Sequence, residues 1–181
     1  MNVPWKRALF VGVFLGGLSA VLAGLIALGD LLTANTIANN RAKKETDGLR
    51  QIFGVAASYD EQATPIENPD YPTLEKYWTV KVSADSDEIL GRVYSTYGRN
   101  AYGDISLLVG ICSDFSLGSI VTIVNTESYG QTLTDEYLEP YGASNDKEKA
   151  IEEVSCGATY GAKLCREMIL SAKQHYEGGH S

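Results

Sequence analysis

The sequence predicts an α+β protein: one N-terminal transmembrane helix, then a domain built on a largely antiparallel sheet with flanking helices. Three observations carry that reading. An apolar stretch runs from Ala8 to Gly29 with Ser19 as its only polar side chain. Short β-branched and aromatic runs separated by tight turns follow one another between residues 77 and 124. After them, Ala158, Ala162, Cys165, Ile169 and Ala172 recur at helical spacing and would share one buried face.

The elements follow in chain order. Met1 to Arg7 is a short lead ending in Lys6-Arg7. As a helix, Ala8 to Gly29 would span about 33 Å, enough for the hydrocarbon core of a bilayer. A cleaved signal peptide is the alternative, since Lys6-Arg7 also suits an n-region. The apolar run is longer than a usual signal core, and the residues from Ala20 to Ala23 make a poor cleavage site, so a retained anchor is expected. Gly12 and Gly16 give a small-xxx-small spacing that would let another membrane helix approach. Charge does not orient the segment: Lys6 and Arg7 flank one end, while Arg41, Lys43 and Lys44 lie well beyond the other.

Thr33 to Gly48 reads as a polar helix continuing from the membrane. Ile37, Leu49, Ile52 and Phe53 are expected to pack it on the domain, with Arg41, Lys43, Lys44 and Glu45 facing water. Residues 59–72, with Pro65, Pro69 and Pro72, read as an irregular connection. Strands are expected over residues 77–82, 90–97, 105–112 and 120–124. A turn is expected through Gly98, Arg99, Asn100 and Gly103, and another around residues 113–116. The organisation is thus an anchor over residues 1–32, a polar stalk over 33–58 and a domain over 59–181.

Composition narrows the function classes. The chain has 181 residues, a formal net charge of −8 and basic residues that are scattered rather than clustered. That balance argues against a nucleic-acid partner. Three cysteines and two histidines, with no Cys-x-x-Cys pair, do not make a zinc or iron–sulfur site. Cys112 and Cys165 read as core residues, and a Cys156–Cys165 bridge stays open. No dinucleotide fingerprint, hydrolase motif or nucleophile–base set is present, so no residue is assigned a catalytic role.

One stretch does carry chemistry. In Ser155-Cys156-Gly157-Ala158-Thr159 small residues crowd around a hydroxyl at the start of the last helix. Free N–H groups and the helix dipole there favour an anion, and a phosphate linked to Thr159 would lie where they stabilise it. Read locally, Ser155 or Thr159 serves equally as a helix cap, with the small residues allowing close packing.

The motif resembles the flavinylation site of the FMN-binding domain in RnfG and NqrC proteins: Asp, two variable residues, Ser or Thr, then Gly-Ala-Thr. Gly157, Ala158 and Thr159 match it, whereas Glu153 replaces the Asp and Cys156 the Ser or Thr. Gly161 and Ala162 stand where the family tends to have hydroxyls. Residues 103–111 resemble the family's central strand. Glu127-Ser128-Tyr129-Gly130-Gln131 resembles the segment that usually reads Glu-Thr-Pro-Gly-Leu, with Glu127 and Gly130 conforming. The resemblance covers roughly residues 88–175.

The resemblance implies one FMN per chain, joined to Thr159 by a phosphodiester bond that a dedicated flavin transferase installs. Backbone N–H groups at Gly161 and Ala162 would hold the phosphate, with Lys163 neutralising it or standing as an ordinary exposed lysine. The Glu127–Gln131 segment would form a second wall near the ring, Tyr129 stacking and Gln131 hydrogen-bonding. Tyr94, Tyr97 and Tyr102 would add aromatic surface. It further implies an electron-carrying subunit, without independent catalysis, of an ion-translocating ferredoxin:NAD complex. Its partners would be the lipid bilayer and other subunits bearing flavin and iron–sulfur groups. The chain would cross the cell (inner) membrane once, with its bulk on the extracytoplasmic side. An NqrC-like subunit of a quinone reductase is the near alternative; a flavin-free membrane-anchored assembly protein is the distant one.

Overall fold

The computed structural model describes residues 5–54, 57–128, 130, 133, 138 and 159–179. Its first element, helix α1, runs unbroken from Trp5 to Phe53. The chain divides into two compact units, residues 1–42 and residues 43–181, and each is taken separately.

The first unit is the greater part of α1. It is long and apolar enough to cross a membrane by length and composition. Phe10, Phe14, Leu22, Leu25 and Ile26 are all exposed along it, which is how a helix surrounded by lipid distributes its side chains. Thr33 donates its hydroxyl to the Gly29 carbonyl at 2.9 Å, satisfying itself on its own helix. Ile37 was expected to pack on the domain and is 65% exposed. The apolar contacts of this helix are made by Leu49, Ile52 and Phe53, in its last turn and a half.

The second unit is an α+β domain. Among the described residues six strands follow α1: β1 (Ser58–Tyr59), β2 (Thr64–Pro65), β3 (Leu74–Lys81), β4 (Ile89–Asn100), β5 (Gly103–Cys112) and β6 (Leu117–Asn125). Every pairing is antiparallel, in the order β1-β3-β4-β5-β6, with β2 also on β3. The last element is helix α2, Thr159–Gly178.

Three expectations are corrected here. The connection over residues 59–72 is not wholly irregular, because Ser58–Tyr59 and Thr64–Pro65 pair with β3. Pro65 is tolerated because β2 lies at the edge of the sheet. The β4–β5 turn is tighter than the glycines implied: β4 keeps its pairing through Gly98, Arg99 and Asn100, and the turn proper is Ala101-Tyr102. Glu45 does not face water, since the C-terminal end of α1 lies on the sheet. Its side chain is largely buried and accepts an ion pair from Lys76 at 2.8 Å. Lys44 beside it donates to the Ile123 carbonyl at 3.3 Å.

Both faces of the sheet are covered, which explains why β5 reads as a nearly continuous apolar run. Ile105, Leu107, Val109 and Ile111 point to one face and join Ala162, Cys165, Met168, Ile169 and Ala172 of α2. Leu108 points to the other and joins Trp78, Val93, Val121 and Ile123 under Leu49, Ile52 and Phe53 of α1. Gly48 and Gly110 make the second contact tight. A Cβ on Gly48 would lie 2.8 Å from Leu108 Cδ1, and one on Gly110 would lie 2.4 Å from Ile52 Cγ2.

Candidate functional site

The site is assembled where the β4–β5 turn, the end of β6 and the first turn of α2 meet. The turn is shaped by Asn100. Its Oδ1 accepts the N–H of Tyr102 at 2.8 Å and of Gly103 at 3.2 Å, a local bond that asparagine makes readily. Its Nδ2 is then aimed across at β6 and donates to Glu127 Oε1. Gly103 permits this approach, because a Cβ there would meet the Thr126 carbonyl and the Glu127 nitrogen at 2.6 Å.

Asn125 organises the other side. Its Oδ1 accepts the Glu127 N–H at 3.2 Å, and its Nδ2 donates to the carbonyls of Gly130 at 2.9 Å and Leu133 at 3.3 Å. The chain after β6 is thereby wound back on itself, helped by the Gly130 N–H to the Glu127 carbonyl at 3.0 Å. Gly130 stands where a Cβ would strike Asn125 Oδ1 at 2.6 Å.

Glu127 is the centre of this arrangement. It is only 9% exposed. Its Oε2 faces the first turn of α2, where a Cβ on Gly161 would lie 2.2 Å away and also 2.4 Å from Leu133 Cδ1. A carboxylate at a helix N-terminus is favourably placed against the dipole. Glycine at position 161 is what lets it come so near.

The first turn of α2 thus has two sides. Gly161 and Ala162 are buried toward Glu127 and the core, while Thr159, Tyr160 and Lys163 are exposed. Tyr160 packs on Tyr102, ring centroids 5.4 Å apart and tilted by 41°. Tyr102 in turn is held by the Ser128 N–H, which donates to its carbonyl at 3.3 Å. With Glu127 on the inner side, Lys163 supplies the positive charge of the exposed side of this turn. An exposed hydroxyl at a helix start, a cation one turn on and two open aromatic rings fit a phosphorylated aromatic group attached at Thr159.

The structure therefore brings together Glu127, Gly130 and Gly161 as one packed unit, with Thr159, Lys163 and Ser128 at its surface. Ser155, Cys156, Gly157, Ala158, Tyr129 and Gln131 lie outside the described residues, as does any pairing of Cys156. Tyr94, expected as aromatic surface near the site, is fully buried under the far end of α2. Its hydroxyl meets His175 Nδ1 at 3.2 Å. Tyr97 donates to Asp104 at 3.1 Å. Asn100 and Tyr160 were not singled out from the sequence. The Asn-x-x-Gly turn signal and the position next to Thr159 were the available cues.

At the far end of α2, Arg92 lies over the rings of Tyr77, at 4.8 Å, and Tyr176, at 5.3 Å. His175 sits among Tyr71, Tyr77 and Tyr94. Burial pushes the Tyr94 hydroxyl up to about 12, and burial together with the Arg92 charge holds His175 below its ordinary value. No group of three or more metal-ligating side chains occurs among the described residues.

No protein-family model matches the chain. It is 25% identical over 138 residues to the G component of the Na(+)-translocating ferredoxin:NAD(+) oxidoreductase complex of Acetobacterium woodii. The match covers 72% of this chain and 66% of that one, so the chain spans slightly less than two thirds of the relative's length.

Proposed function

We propose that this chain is an electron-carrying, membrane-anchored subunit of an ion-translocating redox complex of the ferredoxin:NAD kind, and that it holds FMN through a phosphodiester bond to Thr159. The similarity to one component of such a complex supports the assignment. The observation that carries the cofactor is the first turn of α2. There Thr159 and, one turn on, Lys163 are exposed, while Glu127 closes the inner side against Gly161.

FMN, when bound, supplies one-electron chemistry that no side chain of this protein supplies. The residues have simpler tasks. Thr159 fixes the phosphate, and the α2 N-terminus with Lys163 offsets its charge. Glu127, held by Asn100 and Asn125, keeps the adjoining wall rigid and excludes water from under the turn. Electrons enter and leave by way of neighbouring subunits bearing flavin or iron–sulfur groups, so no diffusible substrate is required. Maturation calls for a flavin transferase.

In this reading residues 1–32 anchor the chain in the cell membrane, 33–58 lead away from it and 59–181 carry the flavin on the extracytoplasmic side. The length and apolarity of α1 support the anchor. A membrane-impermeant maleimide applied to intact cells carrying Asp85→Cys tests the side: immediate labelling is expected, and labelling only after permeabilisation would reverse the topology.

The decisive experiment is intact-mass measurement of the full chain co-expressed with a flavin transferase. The expected result is one added FMN less water, mapped by peptide analysis to Thr159. An unmodified chain, or modification elsewhere, sinks the assignment.

A further inference from the structure

Tyr102 and Tyr160 stand out among the described aromatic residues of the domain. Most of the others are tied into the core or the far end of α2: Tyr94 and Tyr176 are buried, Tyr77 and Phe115 pack against them, and Trp78 belongs to the opposite face. Tyr102 and Tyr160 are instead 47% and 64% exposed, and they touch each other. They come from separate elements, the β4–β5 turn and the first turn of α2. Two large rings brought together from distant parts of the chain and left open to solvent are a surface awaiting an aromatic partner.

Their position is also held. The Tyr102 N–H is bound by Asn100 Oδ1 and its carbonyl by the Ser128 N–H, so the backbone that carries this ring is fixed in the turn. Asn100 is the residue that also grips Glu127, so the aromatic pair and the buried carboxylate share one support. Tyr160 directly follows Thr159. A group linked to Thr159 is therefore confined next to both rings, at a high effective concentration.

We infer that Tyr102 and Tyr160 form the surface that receives the isoalloxazine ring of the Thr159-linked cofactor. This rests on the proposed attachment of FMN and goes beyond it by joining Tyr102 with Tyr160, its partner at 5.4 Å, as one ring-binding surface. The two phenols are electron-rich and a flavin ring is electron-poor, so offset stacking between them is favoured. Two open phenols on the outer side of the first turn also agree with the phosphate lying there, away from Glu127.

The test uses the flavinylated full chain and reads flavin fluorescence and its quenching by iodide. Tyrosine in contact with a flavin suppresses its fluorescence by donating an electron to the excited ring. In Tyr102→Leu and Tyr160→Leu fluorescence should rise several-fold, and iodide should reach the ring more readily, with FMN still attached by mass. Covalent FMN with unchanged fluorescence and iodide access in both variants overturns the inference and leaves the attachment standing. Absence of FMN from the unmutated chain removes both. If Tyr160→Leu alone escapes flavinylation, Tyr102→Leu decides, because Tyr102 is remote in sequence from the acceptor.

Discussion

The two ends of helix α2 are built on opposite terms. At its C-terminal end Tyr176 is buried against Phe115, Arg92 is layered between Tyr77 and Tyr176, and His175 is enclosed by three tyrosines. At its N-terminal end the inner contact is a carboxylate against a glycine, and the outer residues are open. Aromatic burial and cation–π contact anchor the helix at one end. The other end leaves its outer residues, Thr159, Tyr160 and Lys163, exposed. Packing is concentrated at one end of the helix and the proposed flavin site at the other.

That division can be broken at either end. The largest effect expected is all-or-none. Thr159→Val should abolish covalent flavin by mass while moving stability by no more than about 0.5 kcal/mol, because an exposed side chain contributes little to the fold. Retained FMN in a folded Thr159→Val protein would place the acceptor elsewhere, with Ser155 first to be examined. Gly161→Val strikes the inner side of the same turn. Its side chain would collide with Glu127 and Leu133, and urea unfolding should show a loss of about 1–3 kcal/mol. Unchanged stability would mean that Glu127 does not press on this turn.

The C-terminal end should respond only in stability. Tyr94→Phe removes the hydroxyl that meets His175 and should cost about 1 kcal/mol without touching flavin content. A loss of flavin in that variant would show the two ends to be coupled.

The pH dependence sharpens the point further. His175 is held below its ordinary value of 6.5 by burial and by Arg92, so the unfolded chain binds its proton more tightly than the folded one. Its contribution is complete above about pH 6.5, declines as pH falls through that value, and levels off below the folded pKa. Thermal melts of His175→Phe between pH 7 and pH 5 should show a shallower acid loss than the parent. An equal slope would assign the acid sensitivity to other groups. The smallest effect is Lys163→Gln, a change of one exposed charge. Flavin should remain attached, and its midpoint potential should shift slightly downward because negative charge near the phosphate is less offset; an upward shift or loss of attachment would contradict the role given to Lys163.

Much of this architecture was legible from local pattern. The apolar run, the strand alternation and the small-residue face of α2 are short-range signals. Period and composition state them without reference to the rest of the chain. The Glu127–Gln131 segment drew notice only through resemblance to a family, as a wall near a flavin ring; the packing of Glu127 on Gly161 of α2 came from the structure alone. What local pattern misjudged were groups whose partners come from far along the chain. Glu45 read as a solvated charge until the fold set it against Lys76 of β3. Tyr94 read as aromatic surface near the site until α2 laid His175 over it. Asn100 and Tyr160 read as turn and helix residues until folding set one on Glu127 and the other on Tyr102.

A sequence states the chemistry of each side chain and the period at which its neighbours recur. Which side chain meets which across a sheet of antiparallel strands depends on register and on the helix that covers the face. Both are properties of the assembled chain, because a one-residue slip turns every side chain to the other face. The proposed acceptor Thr159 was therefore visible in the sequence, while the buried carboxylate on one side of it and the open aromatic pair on the other exist only once β4, β5, β6 and α2 are in place.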